Sequence, residues 1–382
     1  MKKSIIFFSR FKNKGGAAIA TDRLINVFNK NNYNVEHIYF QPKNYFLKIW
    51  GKIIFYLDSG ILKLINKEQI RSLNFFRIFP FKNFSTYKNV IINLHWFHGG
   101  LISINQINQF NTPVVLTLHD SWIVNATSHH SDFNSKKTWI LELLDKWTIN
   151  RLRKINNISL LITPSNWLKQ EIINAKIFDQ EKIIVIPNPL NVEKFKPLLN
   201  DKKLSDKIRI LVYFSGAKDP YKGGDLFLDF LELCSSDLFF LENIEFVIVG
   251  SNDILAFDKL NISSHGFISS ESELISVYQS CEICISFSKR ENLPQFMTQA
   301  ASCGLVLFGF EIGGMNEIIF DNKNGYIIMP FNLLEMISKI KILVKSKGKL
   351  KVFSKHSREI ALNLWDENII YEIYKKTFEK LK

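Results

Sequence analysis

The densest run of groups able to do chemistry is Ser288-Lys289-Arg290-Glu291-Asn292-Leu293-Pro294-Gln295-Phe296-Met297-Thr298-Gln299. A continuous apolar stretch ends at Ser288, so these polar residues fall in the loop beyond it. Pro294 suits the first turn of a helix, where its missing N–H is not needed. The backbone amides of Gln295 and Phe296 are then available to a ligand, with Glu291 in the loop and Gln299 one turn into the helix. A carboxylate and an amide so placed suit a ligand rich in hydroxyls. A second run, Ser215-Gly216-Ala217-Lys218-Asp219-Pro220-Tyr221-Lys222-Gly223-Gly224, sets two lysines on a turn that leads into a helix. Lys218 and Lys222 there can clamp a diphosphate. Two solvated surface lysines are the alternative.

Two further sites lie near the N-terminus. Lys14-Gly15-Gly16-Ala17-Ala18 precedes a helix, and a helix N-terminus with small residues accepts an anion. A plain tight turn explains the glycines as well, and the full G-x-G-x-x-G fingerprint of dinucleotide folds is absent. In Leu118-His119-Asp120-Ser121-Trp122 a histidine sits at a strand end. There it can donate to a hydroxyl or carry a proton, against a purely structural role. Cys281 and Cys284 have C-x-x-C spacing but fall in an apolar strand with no second pair, so they read as free core thiols of a reducing compartment.

The elements that position these groups are short apolar runs alternating with helical patterns. Strands are expected at 4–9, 34–40, 90–96, 113–119, 159–163 and 182–186, then at 208–214, 245–250, 282–287, 305–309 and 325–329. Continuous Ile, Val and Phe runs separated by helices indicate parallel sheets covered on both faces. The series breaks at Pro187, Pro189 and Pro197, which implies two doubly wound α/β units. The expected bounds are 1–198, 199–364 and a final helix, 365–382, crossing back to the first unit. Its stripe of Ile369, Ile370, Ile373, Tyr374 and Phe378 needs a partner surface.

The 382 residues carry a net charge of +13, which favours anionic partners. The first apolar run is too short for a signal peptide, and no stretch reads as a spanning helix. The segment 43–84 mixes aromatics with Lys43, Lys48, Lys52, Lys63, Lys67, Arg71, Arg77 and Lys82, against only Asp58 and Glu68. It fits either a surface helix on an anionic membrane or an inserted hairpin packing its aromatics inward. No recognised nucleic-acid module accompanies the basic charge.

Taken in order, Gly15-Gly16-Ala17-Ala18, Asn93-Leu94-His95-Trp96, Thr117-Leu118-His119-Asp120-Ser121-Trp122, Thr163-Pro164-Ser165-Asn166-Trp167, Ile186-Pro187-Asn188-Pro189, Lys222-Gly223, Glu291-Asn292-Leu293-Pro294, Ala301-Ser302-Cys303-Gly304 and Gly313-Gly314-Met315-Asn316-Glu317 resemble the family-4 retaining glycosyltransferases of GT-B architecture. Within that family the His-Asp-x-Trp and Glu-Asn-Leu-Pro segments resemble enzymes of bacterial surface polysaccharides. The resemblance implies two Rossmann-like domains facing across a cleft. It implies a cytoplasmic hexosyltransferase, at the inner face of the membrane if 43–84 is a surface helix, that moves sugar from a UDP- or GDP-linked donor to a saccharide or lipid-linked acceptor. It assigns His119, Glu291 and Lys222 to catalysis. Donor binding would involve Gly15, Gly16, Gly216, Lys218, Lys222, Arg290, Asn292, Leu293, Pro294, Gln295, Phe296 and Gln299. No metal or other cofactor is expected, the nucleotide sugar being a substrate, and no nucleic acid partner. Two departures stand out: Gln299 replaces the second Glu of the family's Glu-x₇-Glu motif, losing charge-assisted strength toward ribose, and Lys218 replaces an Arg. A nucleotide-sugar epimerase and a degenerate nucleotide-binding partner subunit are the rival readings.

Overall fold

The computed structural model describes residues 4–65, 71–78, 84–129, 138–198, 206–217, 219, 221–252 and 257–381, the side chains of Lys63, Ile65 and Phe84 excepted. Lys67, Glu68, Phe79, Phe81, Lys82 and Lys218 lie outside the described residues.

Alternation along each strand builds both cores. In β1 (Ser4–Ser9), Ile6 and Phe8 enter one cluster and Ile5 and Phe7 the opposite one, as the two-residue period of a strand requires. Beside it lie β2 (Val35–Tyr39), β3 (Val90–His95), β4 (Val114–Thr117), β5 (Ile158–Thr163) and β6 (Ile183–Val185). The six form one parallel sheet in the order β2-β1-β3-β4-β5-β6. A second parallel sheet comprises β7 (Ile208–Phe214), β8 (Ile244–Gly250), β9 (Asn261–Ser264), β10 (Ile283–Ser286), β11 (Val306–Phe310) and β12 (Gly325–Ile328), ordered β12-β11-β10-β7-β8-β9. Ile210, Val212 and Phe214 of β7 face one cluster and Leu211 the other. Both units are therefore doubly wound α/β, in the GT-B-like class expected.

The contacts divide the chain into Met1–Pro189 with Ile370–Lys382, and Leu190–Ile369. The boundary expected at 198 falls too late, because Leu190, Val192 and Phe195 are buried in the second unit's core. Arg358 fastens that stretch, donating from Nη1 to the carbonyls of Val192 and Phe195 at 2.8 Å each. The final helix, Glu367–Glu379, buries Ile370, Tyr371, Tyr374 and Phe378 in the first unit. Phe28 meets Tyr371 at 5.3 Å and Phe378 at 5.8 Å between ring centres. Ile369 and Ile373, placed on the buried stripe by the sequence reading, are exposed. Strand β9 was not anticipated: its Asn-Ile-Ser-Ser sequence at the sheet edge lacks the apolar run used to find strands. All four cysteines are free and buried, and burial pushes the Cys281 and Cys303 thiols up to about 12.

The segment 43–84 buries both apolar and polar side chains. Helix Tyr45–Phe55 is capped by Asn44, whose Oδ1 accepts from Leu47 N at 2.8 Å, and buries only Gly51 and Ile54. Tyr45 is 72% and Phe46 80% exposed, and Trp50, Phe55 and Phe75 also reach solvent. These aromatics do not pack inward, as the hairpin alternative required. Buried here are the apolar Ile54, Leu62 and Ile78 together with the polar Asp58, Ser59, Arg71, Ser72 and Asn74. Arg151 donates to the carbonyls of Leu73 at 3.0 Å and Asn74 at 2.8 Å, and Asp58 Oδ1 accepts from Phe75 N at 3.1 Å.

Burial raises the Asp58 carboxyl to about 6, against the backbone N–H groups of Phe75, Asn74 and Phe76 and the Arg151 charge, which oppose the rise. Its folded pKa exceeds its unfolded one, so this contribution to stability is complete below the unfolded value and is lost as pH rises through about 6. The loss is on the order of 2–3 kcal/mol. Asp58→Asn should match the parent in thermal melts below about pH 3.5 and melt a few degrees higher than the parent near pH 7.5.

Candidate active site

In the second unit the order of the sheet reverses between β7 and β10, and ligands of open α/β sheets bind beyond the strand ends at such a point. The loop after β7 is shaped by Asp219. Its Oδ1 accepts from the backbone of Tyr221 at 2.9 Å and Lys222 at 3.1 Å, and its Oδ2 accepts from Ser215 Oγ at 2.9 Å. Gly223 then adopts φ +64°, and a Cβ there would stand 1.8 Å from Phe287 O. Only glycine allows this loop to lie against the end of β10. The result is an ion pair: Lys222 Nζ donates to Glu291 Oε1 at 2.5 Å, and Ser288 Oγ donates to the same oxygen at 2.9 Å. Burial alone would lower the Lys222 ammonium. The Glu291 carboxylate outweighs it and, with Tyr213 and Asp219, raises it, so Lys222 stays charged.

Glu291 is held from behind by Gly313-Gly314. Gly314 N donates to Glu291 O at 3.2 Å. Gly313 has φ +53°, and a Cβ on it would lie 1.8 Å from that same carbonyl oxygen. A single short turn, Met315–Glu317, follows these glycines. Pro294 caps helix Gln295–Ser302 rather than opening it. Leu293 is core, while Phe296 packs on Tyr278 and Tyr213 at 5.5 and 5.7 Å between ring centres. Arg290 is buried and Asn292 and Gln295 are half-buried in the same stretch. Gly216, with φ +112°, has open space where a Cβ would stand.

Gln299 is buried, and its Oε1 accepts from Tyr278 Oη at 2.9 Å. The acceptor oxygen available to ribose thus already takes one bond from within the protein. Tyr278 lies 21 residues away in sequence, and no local pattern pairs it with Gln299.

In the first unit, Gly15 takes φ +83° and precedes helix Gly16–Lys30, whose first turn holds no acidic residue and no side-chain cap. His119 follows β4 and meets His95, the last residue of β3, Nδ1 to Nε2, at 3.0 Å. His95 Nε2 is buried without a partner. The tautomer with His95's single proton on Nδ1 leaves no N–H orphaned, so His119 Nε2 accepts and His119 carries its own proton on Nδ1, as a donor. Burial lowers His119 to about 4 despite the opposing Asp120 charge, so the ring is neutral at pH 7. Next to it Asp120 accepts from His129 Nδ1 at 2.6 Å, Trp96 Nε1 at 3.1 Å and Trp122 N at 3.0 Å. Burial would raise this carboxyl, but His129 and the other donors together hold it far below the usual range.

The structure brings together Lys222, Glu291, Gly216 and the start of the Gln295–Ser302 helix in one unit, and His119 with His95 and Asp120 in the other. Asp219, Ser288, Tyr278, Gly313, His95 and Asp120 carried no assigned role in the sequence reading.

Two family models tile the chain: "Glycosyltransferase Family 4" over residues 14–194 and "Glycosyl transferases group 1" over residues 195–360. The chain belongs to glycosyltransferase family 4. A phosphatidylinositol N-acetylglucosaminyltransferase subunit of Saccharomyces cerevisiae is 24% identical over 320 residues, covering 76% of this chain. The chain spans 66% of that relative's length. UDP-Gal:alpha-D-GlcNAc-diphosphoundecaprenol alpha-1,3-galactosyltransferase of Escherichia coli is 22% identical over 84% of both chains. Among solved structures, Anabaena HepE in complex with UDP-glucose superposes with TM-score 0.65 at 16% identity, covering 99% of this chain and 100% of that one. Gly313→Ala should lower the melting temperature of this family member, since the added methyl meets the Glu291 carbonyl. An unchanged melting temperature would contradict the close approach.

Proposed function

We propose that the chain is a retaining hexosyltransferase that uses a UDP- or GDP-linked donor and a saccharide or lipid-linked saccharide acceptor in the assembly of a surface polysaccharide. The Lys222–Glu291 pair beyond the reversal of strand order supports this most. Glu291 keeps Lys222 charged and fixed in place. When the donor binds, Lys222 turns to its diphosphate and Glu291 accepts from the sugar hydroxyls. Negative charge grows on the diphosphate as the bond to the sugar breaks, and a cation already in place stabilises that change more than the ground state. The Gln299 amide donates to the ribose, and Lys218, Arg290 and the backbone from Asn292 to Phe296 complete donor contacts. Gly15 and Gly16 of the first unit serve phosphate, and His119 donates to the transferred sugar. The transfer step itself uses no metal. The E. coli relative, by its name, acts on a diphosphoundecaprenol acceptor, and HepE was solved with UDP-glucose; both fit this reading.

The exposed Tyr45, Phe46 and Trp50, flanked by exposed Lys43, Lys48 and Lys52, fit a helix lying on an anionic membrane. Among the described residues no helix is long and apolar enough to cross one. We place the enzyme in this way at the inner face of the membrane, with access to a lipid-linked acceptor.

In a radiolabelled transfer assay Lys222→Ala and Glu291→Ala should each lower the rate by ~10²-fold or more, with the fold intact by circular dichroism. Rates near that of the parent would remove the mechanism. Replacing Lys43, Lys48 and Lys52 by Gln should weaken co-sedimentation with phosphatidylglycerol vesicles on the order of 10²-fold, at about 1 kcal/mol per lysine.

A further inference from the structure

We propose that His98, Asp120 and His129 form a binding site for one divalent transition-metal ion of the zinc class, independent of the donor chemistry. One nitrogen of each histidine and one carboxylate oxygen lie within 4.8 Å of one another, and both histidines are buried. Two neutral imidazoles and a carboxylate are a donor set suited to zinc, with the fourth tetrahedral position left to water or a ligand oxygen.

The groups around the three residues orient them as outer-shell partners orient metal ligands. His98 engages Asn74 Oδ1 through Nδ1 at 3.1 Å, which leaves Nε2 as the nitrogen able to coordinate. His129 engages Ser72 Oγ through Nε2 at 2.9 Å, which turns Nδ1 toward Asp120 Oδ2. Asp120 is held on both oxygens, by Trp96 Nε1 and by Trp122 N. Trp122 also fixes the His98 ring, 4.5 Å away between centres. Each histidine thus has an outer partner on its other nitrogen, while Asp120 Oδ2 accepts from Trp96 Nε1 and keeps a second lone pair toward the cluster.

Without an ion, the 2.6 Å contact between His129 Nδ1 and Asp120 Oδ2 is a hydrogen bond that carries one proton. Metal entry displaces that proton and opens the pair to about 3 Å, since zinc–nitrogen and zinc–oxygen bonds are about 2.0–2.2 Å. A neutral His129 keeps its proton by moving it to Nε2, which then donates to Ser72 Oγ. The Ser72 hydroxyl in turn donates to Ser59 Oγ, 3.0 Å away. An imidazolium would instead release one proton to solvent. The bound ion would fasten the loops after β3 and β4 to the strap carrying Ser72 and Asn74.

The full chain, stripped with EDTA and dialysed against Zn²⁺ or Co²⁺, should retain about one equivalent of metal by elemental analysis. The cobalt form should absorb in the visible. His98→Asn and Asp120→Asn should each lose both signals, while the exposed His265→Asn keeps them. In the parent, Zn²⁺ should raise the melting temperature and EDTA reverse it, a readout that needs no variant to fold. Retention below a tenth of an equivalent by the parent, or equal retention in all three variants, overturns the site and leaves a hydrogen-bond network alone. Nucleotide titration reads the donor site separately, so failure of either reading leaves the other standing.

Discussion

The second unit is arranged so that one ammonium and one carboxylate, 69 residues apart in sequence, meet at 2.5 Å beyond the strands where winding reverses direction. A charge pair in that position would relax into solvent if its loops were free. Asp219 ties down the Lys222 loop, Gly223 lets it lie against the end of β10, and Gly313-Gly314 holds the Glu291 carbonyl. The ion pair itself adds little to global stability, because partly exposed ion pairs contribute little. The effect of these contacts is geometric: the cation is already in position before a ligand arrives, so less ordering remains for the binding step.

The first unit meets a different constraint. Its inserted segment leaves Tyr45 and Phe46 exposed, and it is attached through polar groups as well as through the buried Ile54, Leu62 and Ile78. Arg151, Asp58 and Trp122 clamp the backbone around residues 72–75. The helix keeps Ile54 buried while Tyr45 and Phe46 turn outward. The same polar interior brings Ser72 and Asn74 to the histidines beyond β3 and β4.

Where burial alone decides an element, residue pattern was a sufficient guide. The continuous apolar runs of β1, β7, β8 and β11 are visible because both faces of each sheet are covered. Strand β9 was invisible because an edge strand needs little apolar surface, and the Asn-Ile-Ser-Ser run looks like a loop. Lys222 and Glu291 were legible as residue types next to turns, and the motif resemblance joined them. Their mutual pairing, the Tyr278 hydroxyl on Gln299 and the glycine pair behind Glu291 depend on tertiary approach between distant segments. The inward polarity of 43–84 was illegible for a related reason: composition records how many aromatics are present, not which way the backbone turns them. Of Ile369 and Ile370, adjacent in the same helix, one is exposed and one fully buried, a distinction that depends on the rotation of the helix.

The last helix has a consequence for how the chain is made. Tyr371, Tyr374 and Phe378 cover Phe28 and complete one face of the first sheet, yet they leave the ribosome after the whole of the second unit. The first unit therefore completes this cluster only with a segment made after residues 190–369. The second unit needs no later segment, since its own core clusters end at Trp365.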